Sequence, residues 1–331
     1  MDINPQVIIK GLPEEVAYKI GYVIEVIIKF LIEKDQNIDL RRLTRIIITT
    51  DFANELSIQT TSQNPITYTN ESYAQAIGKT LNIRKNDDFE IIMILDANWA
   101  IYYLLGSKDN PKTKDIKLFS HLLHHELCHV HDNNKKIDAL QKFWLKYECT
   151  GKSILIQPLA EMCWAEYIAN FLSSSTVPEA FIVSFVGSLK EAVKRTKKDL
   201  EKEILKYRTH SDLKVLLEYF ERHGNFLIKN AAYLMGYLDG LNRELSSIDN
   251  ELFELISNSY FKTAWFEMQK ALRYMHSQYP KLWKDIEIYN SLTHVMEQYY
   301  SDMGLVLSNT PEGQLYVHIP FTPNTTLITS G

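Results

Sequence analysis

Residues 122–132 read LLHHELCHVHD, and within them His125, Glu126 and His129 fall at H-E-x-x-H spacing. On a helix the two histidines lie one turn apart on the same side, so both imidazoles can grip one metal ion while Glu126 borders the same space. No other stretch constrains the chain so tightly, because it demands a helix with one face for a core and another for a polar site. Both faces are present. Phe119, Leu123, Leu127 and Val130 follow an i, i+4, i+8, i+11 row, and His121, His125, His129 and Asp132 keep the same spacing on roughly the opposite side. The spacing predicts a helix over 114–133. A solvated His/Glu helix would lack the apolar row, and a plain core helix would bury imidazoles and a carboxylate without partners for them.

A catalytic zinc site usually takes three protein ligands and leaves one position for water. Downstream, Pro158–Leu172 reads PLAEMCWAEYIANFL, a helical stretch with two carboxylates, Glu161 and Glu166. They stand about 140 degrees apart around one helix, so only one of them can face a metal. Spacing alone leaves both open.

The H-E-x-x-H helix, followed by the E-Y-I-A-N-F run from Glu166, resembles the gluzincin metallopeptidases, and in particular the ImmA/IrrE-like antirepressor proteases. In those proteins the metal helix is followed by a ligand Glu in a helix of E-x-x-A-N-x-F type. The resemblance spans roughly residues 115 to 172, under a fifth of the chain; its first motif is specific and its second weak. It implies one Zn²⁺ per chain held by His125, His129 and Glu166, with Glu126 as the catalytic residue. It also implies peptide-bond hydrolysis in a protein partner. The N-terminal fold it implies is a zincin-like domain of helices plus a small mixed sheet; the helical spacing of the second half adds an α-helical C-terminal domain, so the fold class is α+β. In such folds a strand beside the metal helix holds an extended peptide by β-augmentation. Glu90–Leu95 is the expected strand.

Composition narrows the class. At 331 residues, 45% hydrophobic, the chain can bury a large core and suggests two domains, over 1–175 and 176–331. Net charge is −5 with Lys and Arg interspersed among Asp and Glu, which leaves no electrostatic footprint for nucleic acid. Cys128, Cys149 and Cys163 are too few and too irregularly spaced for a disulfide framework and read as reduced thiols. Cys128 lies opposite the midpoint of His125 and His129, which makes it a core residue rather than a ligand. MDINPQVIIKG has no basic-then-apolar leader pattern, and no uncharged apolar run reaches eighteen residues. The reading is a cytoplasmic protein that neither crosses nor coats a membrane; its oligomeric state is not legible.

Along the chain, Leu12–Asp35 opens with Pro13, Glu14 and Glu15, then repeats Val16, Ile20, Val23, Ile24, Ile27, Phe30 and Leu31 at helical spacing, with Glu25, Lys29 and Glu33 on the outer face. Thr44–Thr50 and Glu90–Leu95 have strand length and composition, and Pro65–Thr69 and Lys79–Arg84 are further strand candidates. Ala97–Leu105 reads as a short helix, and Gly106–Lys114 as a turn before the metal helix. Asn133–Lys136 is a polar helix end, with a separate amphipathic helix over Ile137–Tyr147. After SSST at 173–176 the chain is helical through Met303, broken by Gly224, Gly236, Gly240 and Pro280, and closes on a β-hairpin around SNTPEG.

Zinc at such a site polarises a carbonyl and acidifies its water, and Glu126 takes that water's proton as general base. His121 or Asp132 can orient a ligand imidazole from behind, whereas His124 and His131 lie off the ligand row and read as solvated. Tyr167, His210, His223, Tyr233 and Tyr237 are candidates for an oxyanion donor, and none is assigned. Two further readings share the residues: a non-catalytic zinc-stabilised interaction module, and a zinc hydrolase of a non-peptide amide. A closed structural site needs four ligands and no Glu between the histidines, so Glu126 favours catalysis.

Overall fold

The computed structural model describes residues 5–35, 37–60, 70–71, 74–75, 78–86, 88–105, 113–144 and 148–326. The Pro65–Thr69 strand candidate and most of the turn at 106–114 lie outside them. The architecture is α+β, with a four-stranded mixed sheet near the N-terminus and a mostly helical remainder. The chain forms two compact units, one of residues 1–141 with 175–178, the other of residues 142–174 with 179–331. The boundary read from composition was residue 175.

In the first unit, β1 (Gln6–Lys10), α1 (Glu14–Lys34), β2 (Leu43–Thr49) and α2 (Phe52–Gln59) precede a two-stranded ribbon of β3 (Asn70–Glu71) and β4 (Ala74–Gln75). Then come β5 (Gly78–Lys85), β6 (Asp88–Asp96), α3 (Ala97–Leu105) and α4 (Thr113–Trp144). The sheet order is β1-β2-β6-β5, parallel from β1 to β6 and antiparallel between β6 and β5. Ile91–Leu95 is buried residue after residue, which is what a central strand covered on both faces requires. That position corrects the expectation for Glu90–Leu95. Both its edges are already hydrogen-bonded, to β2 and β5, so it cannot receive a peptide; β5 is the edge strand on that side.

Side-chain alternation assigns the faces. Ile47, Leu81, Ile92 and Ile94 pack with Phe52 and Leu56 of α2. The opposite face meets α1 and α4, since Gly21 lies against Ile9 and Gly78 against Glu126. Helix α1 buries Ile20, Ile24, Ile27, Ile28 and Leu31. Phe30, read as part of that buried row, is instead 57% exposed.

Helix α4 does not stop at Asn133–Lys136. It runs unbroken to Trp144 because those polar residues have partners: the Asn134 amide donates to Asp39 O at 2.9 Å and Val130 O at 3.1 Å, and Lys136 pairs with Asp132 at 2.8 Å.

The second unit comprises α5 (Ser153–Ser173), α6 (Glu179–His210), α7 (Leu213–Tyr219), a π-helical turn at Phe220–Gly224 and α8 (Asn225–Gly240). It continues with α9 (Leu245–Ile248), α10 (Asn250–Ser257), α11 (Lys262–Gln278), α12 (Asn290–Asp302) and the hairpin of β7 (Val306–Asn309) and β8 (Leu315–His318). Gly236, which resembles a helix breaker in the sequence, sits inside α8, whereas Gly240 is its last residue, where the sequence reading placed a break. A methyl group on them would come within 2.3 Å of Tyr167 O and 2.5 Å of Phe171 O, so their bareness lets α8 lie directly on the backbone of α5. Among the described residues no helix is long and apolar enough to cross a membrane.

Candidate metal centre

The site is built on the middle of α4, where the 3.6-residue repeat sets His125 and His129 side by side. Their Nε2 atoms are 3.0 Å apart and their rings nearly perpendicular, at 86°. Two imidazole nitrogens bound to one zinc at about 2.0–2.1 Å in tetrahedral geometry would sit on the order of 3.3 Å apart. The observed separation is close to that of a chelating pair. His125, His129 and Glu166 each offer one donor atom, and these atoms lie within 4.8 Å of one another. Two imidazole nitrogens and one carboxylate oxygen are a donor set that suits zinc, so the residues present fit such an ion.

Glu166 is carried by α5, where its Oε1 lies 3.5 Å from Lys229 Nζ on α8. Glu161 lies elsewhere on that helix, accepting from Gln157 Nε2 at 2.8 Å, and is not in the donor group.

Glu126 points from α4 onto the edge strand. Its side chain is 9% exposed, and Thr80 Oγ1 donates to its Oε2 at 3.5 Å. Gly78 of β5 also lies close by: a methyl there would sit 2.7 Å from Glu126 Cδ. Gly78 and Thr80 share one face of β5, so a short piece of strand forms the seat of the carboxylate. A lone glycine in a strand pattern signals close approach of another group, and that signal was available in the sequence. Thr80 carried none.

The flank of α4 beside the ligand row is drier than its sequence suggests. His121 and His124 are fully buried, with Nδ1 atoms 3.1 and 2.9 Å from Thr176 Oγ1. Burial pushes His121 down to about 3 and His124 down to about 4, so both are neutral at pH 7. The expectation that His124 and His131 are solvated is therefore corrected. His131 is 9% exposed, burial lowers its pKa, and its Nδ1 accepts from the backbone N–H of Asp39 at 2.9 Å. An imidazole held this way is a structural acceptor, and its place off the ligand row does not put it in water. Cys128 is completely buried, and burial raises its thiol well above the ordinary value, in keeping with a core role. Asp132, 1% exposed, forms a buried ion pair with Lys136.

The oxyanion candidates have other employments. Tyr167 donates to Asp239 Oδ2 at 2.8 Å, and Asp239 is clamped by Arg273. Tyr237 is 1% exposed, and His210 accepts from the Asp212 N–H. His223 packs against Tyr219 with the rings tilted by 42°, and Tyr233 stacks on Phe185 with Lys229 over its ring.

Comparison of the chain with protein-family models, with curated proteins and with solved structures finds no match.

Proposed function

We propose that this chain is a zinc-dependent metallopeptidase with a zincin-like N-terminal domain, cutting peptide bonds in a protein or peptide partner. The observation that carries the reading is the gathering of His125, His129 and Glu166 donor atoms beside a carboxylate, Glu126, that is not among them. A structural metal site has no use for that fourth group, whereas hydrolysis needs a base there.

A zinc ion held by His125, His129 and Glu166 would supply a Lewis acid and a water of lowered pKa. Glu126 then acts on that water's proton. Its Oε2 is engaged by Thr80, which leaves Oε1 to take the proton and return it to the leaving amine. The partner's extended backbone fits the outer edge of β5 by strand addition, which fixes its direction by main-chain hydrogen bonds and tolerates varied side chains.

The test is Glu126→Gln. The amide keeps the shape of the side chain and cannot act as a base, so metal content should be unchanged while turnover falls about 10²- to 10⁴-fold. Parent and variant are expressed in the native host, and protein fragments are compared. Products unique to the parent, with a partner retained by the variant, support the reading. Equal cellular function from both forms would leave the zinc-stabilised interaction module as the better account. Fragment-free loss of a small-molecule amide would point to the non-peptide hydrolase.

A further inference from the structure

Helices α5 and α8 lie side by side, and their contacts ascend together in one register. The Asn170 amide donates to Tyr233 O at 3.0 Å, and the bare Gly236 and Gly240 lie on Tyr167 O and Phe171 O. Lys229 belongs to the same face of α8, because positions 229, 233, 236 and 240 are spaced i, i+4, i+7, i+11. That register sets Lys229 beside Glu166, with Nζ 3.5 Å from Glu166 Oε1 and the two side chains 19% and 12% exposed. Tyr233, one turn on, lies under the ammonium at 5.5 Å and is itself stacked on Phe185 of α6. Sliding Lys229 away from Glu166 would lift α8 off α5. We propose that Lys229 is a built-in competitor of the metal, a counter-charge that neutralises Glu166 in the metal-free protein and weakens the hold of the site on zinc. The inference rests on the reading of His125, His129 and Glu166 as one donor group.

The distance decides what kind of partner Lys229 is. A lysine that orients a carboxylate does so through a hydrogen bond of about 2.7–3.2 Å, and the contact here is longer. Coulomb attraction falls only as the inverse of distance, so the charge still acts strongly at this separation and this low exposure. Its effect on the two states of the site has opposite signs. Without metal, the ammonium offsets the cost of burying a carboxylate between two helices. With metal, the same ammonium repels a divalent cation held by that carboxylate. Even at the dielectric constant of water, a unit charge about 5 Å from a divalent ion amounts to about a tenfold change in affinity. The orienting contribution lost with Lys229 is smaller, because Glu166 is mostly buried on a helix whose backbone is fixed against α8, and few rotamers open to it.

The experiment is a zinc titration of the full chain against a chromogenic chelator, with thermal unfolding of the metal-free protein beside it. Lys229→Met keeps the apolar stem and removes the charge. Lys229→Gln removes the charge and keeps a polar tip, so one of the two serves if the other fails to fold. Both should bind zinc about tenfold tighter than the parent, while their metal-free forms melt at lower temperature, since a mostly buried carboxylate has lost an opposite charge. Lys229→Arg keeps the charge and should match the parent in both measurements. A lysine that only packs α8 on α5 would lower the melting point without tightening zinc, so the signature is two readouts moving in opposite directions. Neutral variants that bind zinc as the parent does, or more weakly, overturn the proposal and make Lys229 a packing or orienting residue. Lys229→Arg behaving like Lys229→Met overturns it as well. A parent that takes up no zinc overturns the donor group itself and the competitor with it, a result distinct from a parent that binds zinc while its neutral variants bind no tighter.

Discussion

Gly78 on β5 touches Glu126 on α4, with so little room between them that a methyl group on the glycine would lie 2.9 Å from the carboxylate Oε1. Backbone and carboxylate thus fix each other's position, and the edge of the sheet is placed beside the group proposed to move the proton. In Gly78→Ala the carboxylate has to give way. A displacement of about 1 Å at a reacting group can cost on the order of 10²-fold in rate. Turnover should fall by about that much while metal content, measured by mass spectrometry of the purified protein, stays at the parent value. Parent-level turnover in the variant would show that the seat is not needed.

The donor group makes a ranking. His125→Ala and His129→Ala should abolish zinc binding, Glu166→Ala should weaken it by more than roughly a hundredfold, and Glu161→Ala and Cys128→Ser should leave it intact. Outer-sphere partners alone are worth about ten- to a hundredfold, so loss of a direct ligand must exceed that. Competition titration with a chromogenic chelator reads the series. Zinc lost in Glu161→Ala and kept in Glu166→Ala would transfer the ligand role.

The buried histidines make the fold acid-sensitive. His121 and His124 titrate at about 3 and about 4 when folded, against about 6.5 in an unfolded chain. Below 6.5 the unfolded state therefore binds more protons, so stability is complete above that pH and is lost as pH falls toward the folded values. Each histidine costs roughly 1.4 kcal/mol per pH unit within the window. Urea unfolding of the metal-free protein at about pH 7.5 and about pH 5.5 should differ by roughly 3 kcal/mol. Equal midpoints at the two pH values would contradict this.

Two glycines of the helical unit should respond in opposite senses. Gly236→Ala drives a methyl into Tyr167 O, at 2.3 Å, and overpacking of this kind typically costs about 1–3 kcal/mol. Gly187 lies in α6 with nothing within 4 Å of the added carbon. There alanine should stabilise by roughly 0.5–1 kcal/mol through helix propensity. Thermal unfolding of the two variants beside the parent decides it.

The strongest periodicities were legible in the sequence: the buried row of α1, the β-branched and apolar strands β2 and β6, the short helix α3 and the closing hairpin. What was missed had local signals that tertiary context overrode. Strand β1 is five residues long and pairs with β2, forty residues on, a partner no local pattern names. Helix α2 begins at an ordinary N-cap, Asp51, whose carboxylate accepts from the Asn54 N–H, but it sits at the edge of a polar stretch. The polar run that looked like the end of α4 has its hydrogen bonds supplied in part by Asp39, and Gly236, which looked like a break, is a point of contact inside α8. Within the site, H-E-x-x-H spacing marked His125, Glu126 and His129, whereas Gly78, Thr80 and Thr176 come from distant segments. A two-faced reading of the helix also treats a polar residue off both the ligand row and the apolar row as outward-facing. It cannot anticipate a helix enclosed on several sides, and for that reason His124 and His131 were misplaced.

Thr176 has one hydroxyl hydrogen and two imidazole nitrogens within reach, at 3.1 Å and 2.9 Å. It can donate that hydrogen to one ring nitrogen and accept from the other, or accept from both through its two lone pairs, but it cannot donate to both. Since both rings are neutral at pH 7, at least one of His121 and His124 must carry its hydrogen on Nδ1 for both contacts to be hydrogen bonds. The tautomers of two buried histidines are thereby tied to a single hydroxyl, which excludes one of their four combinations. Valine at that position would lift the exclusion.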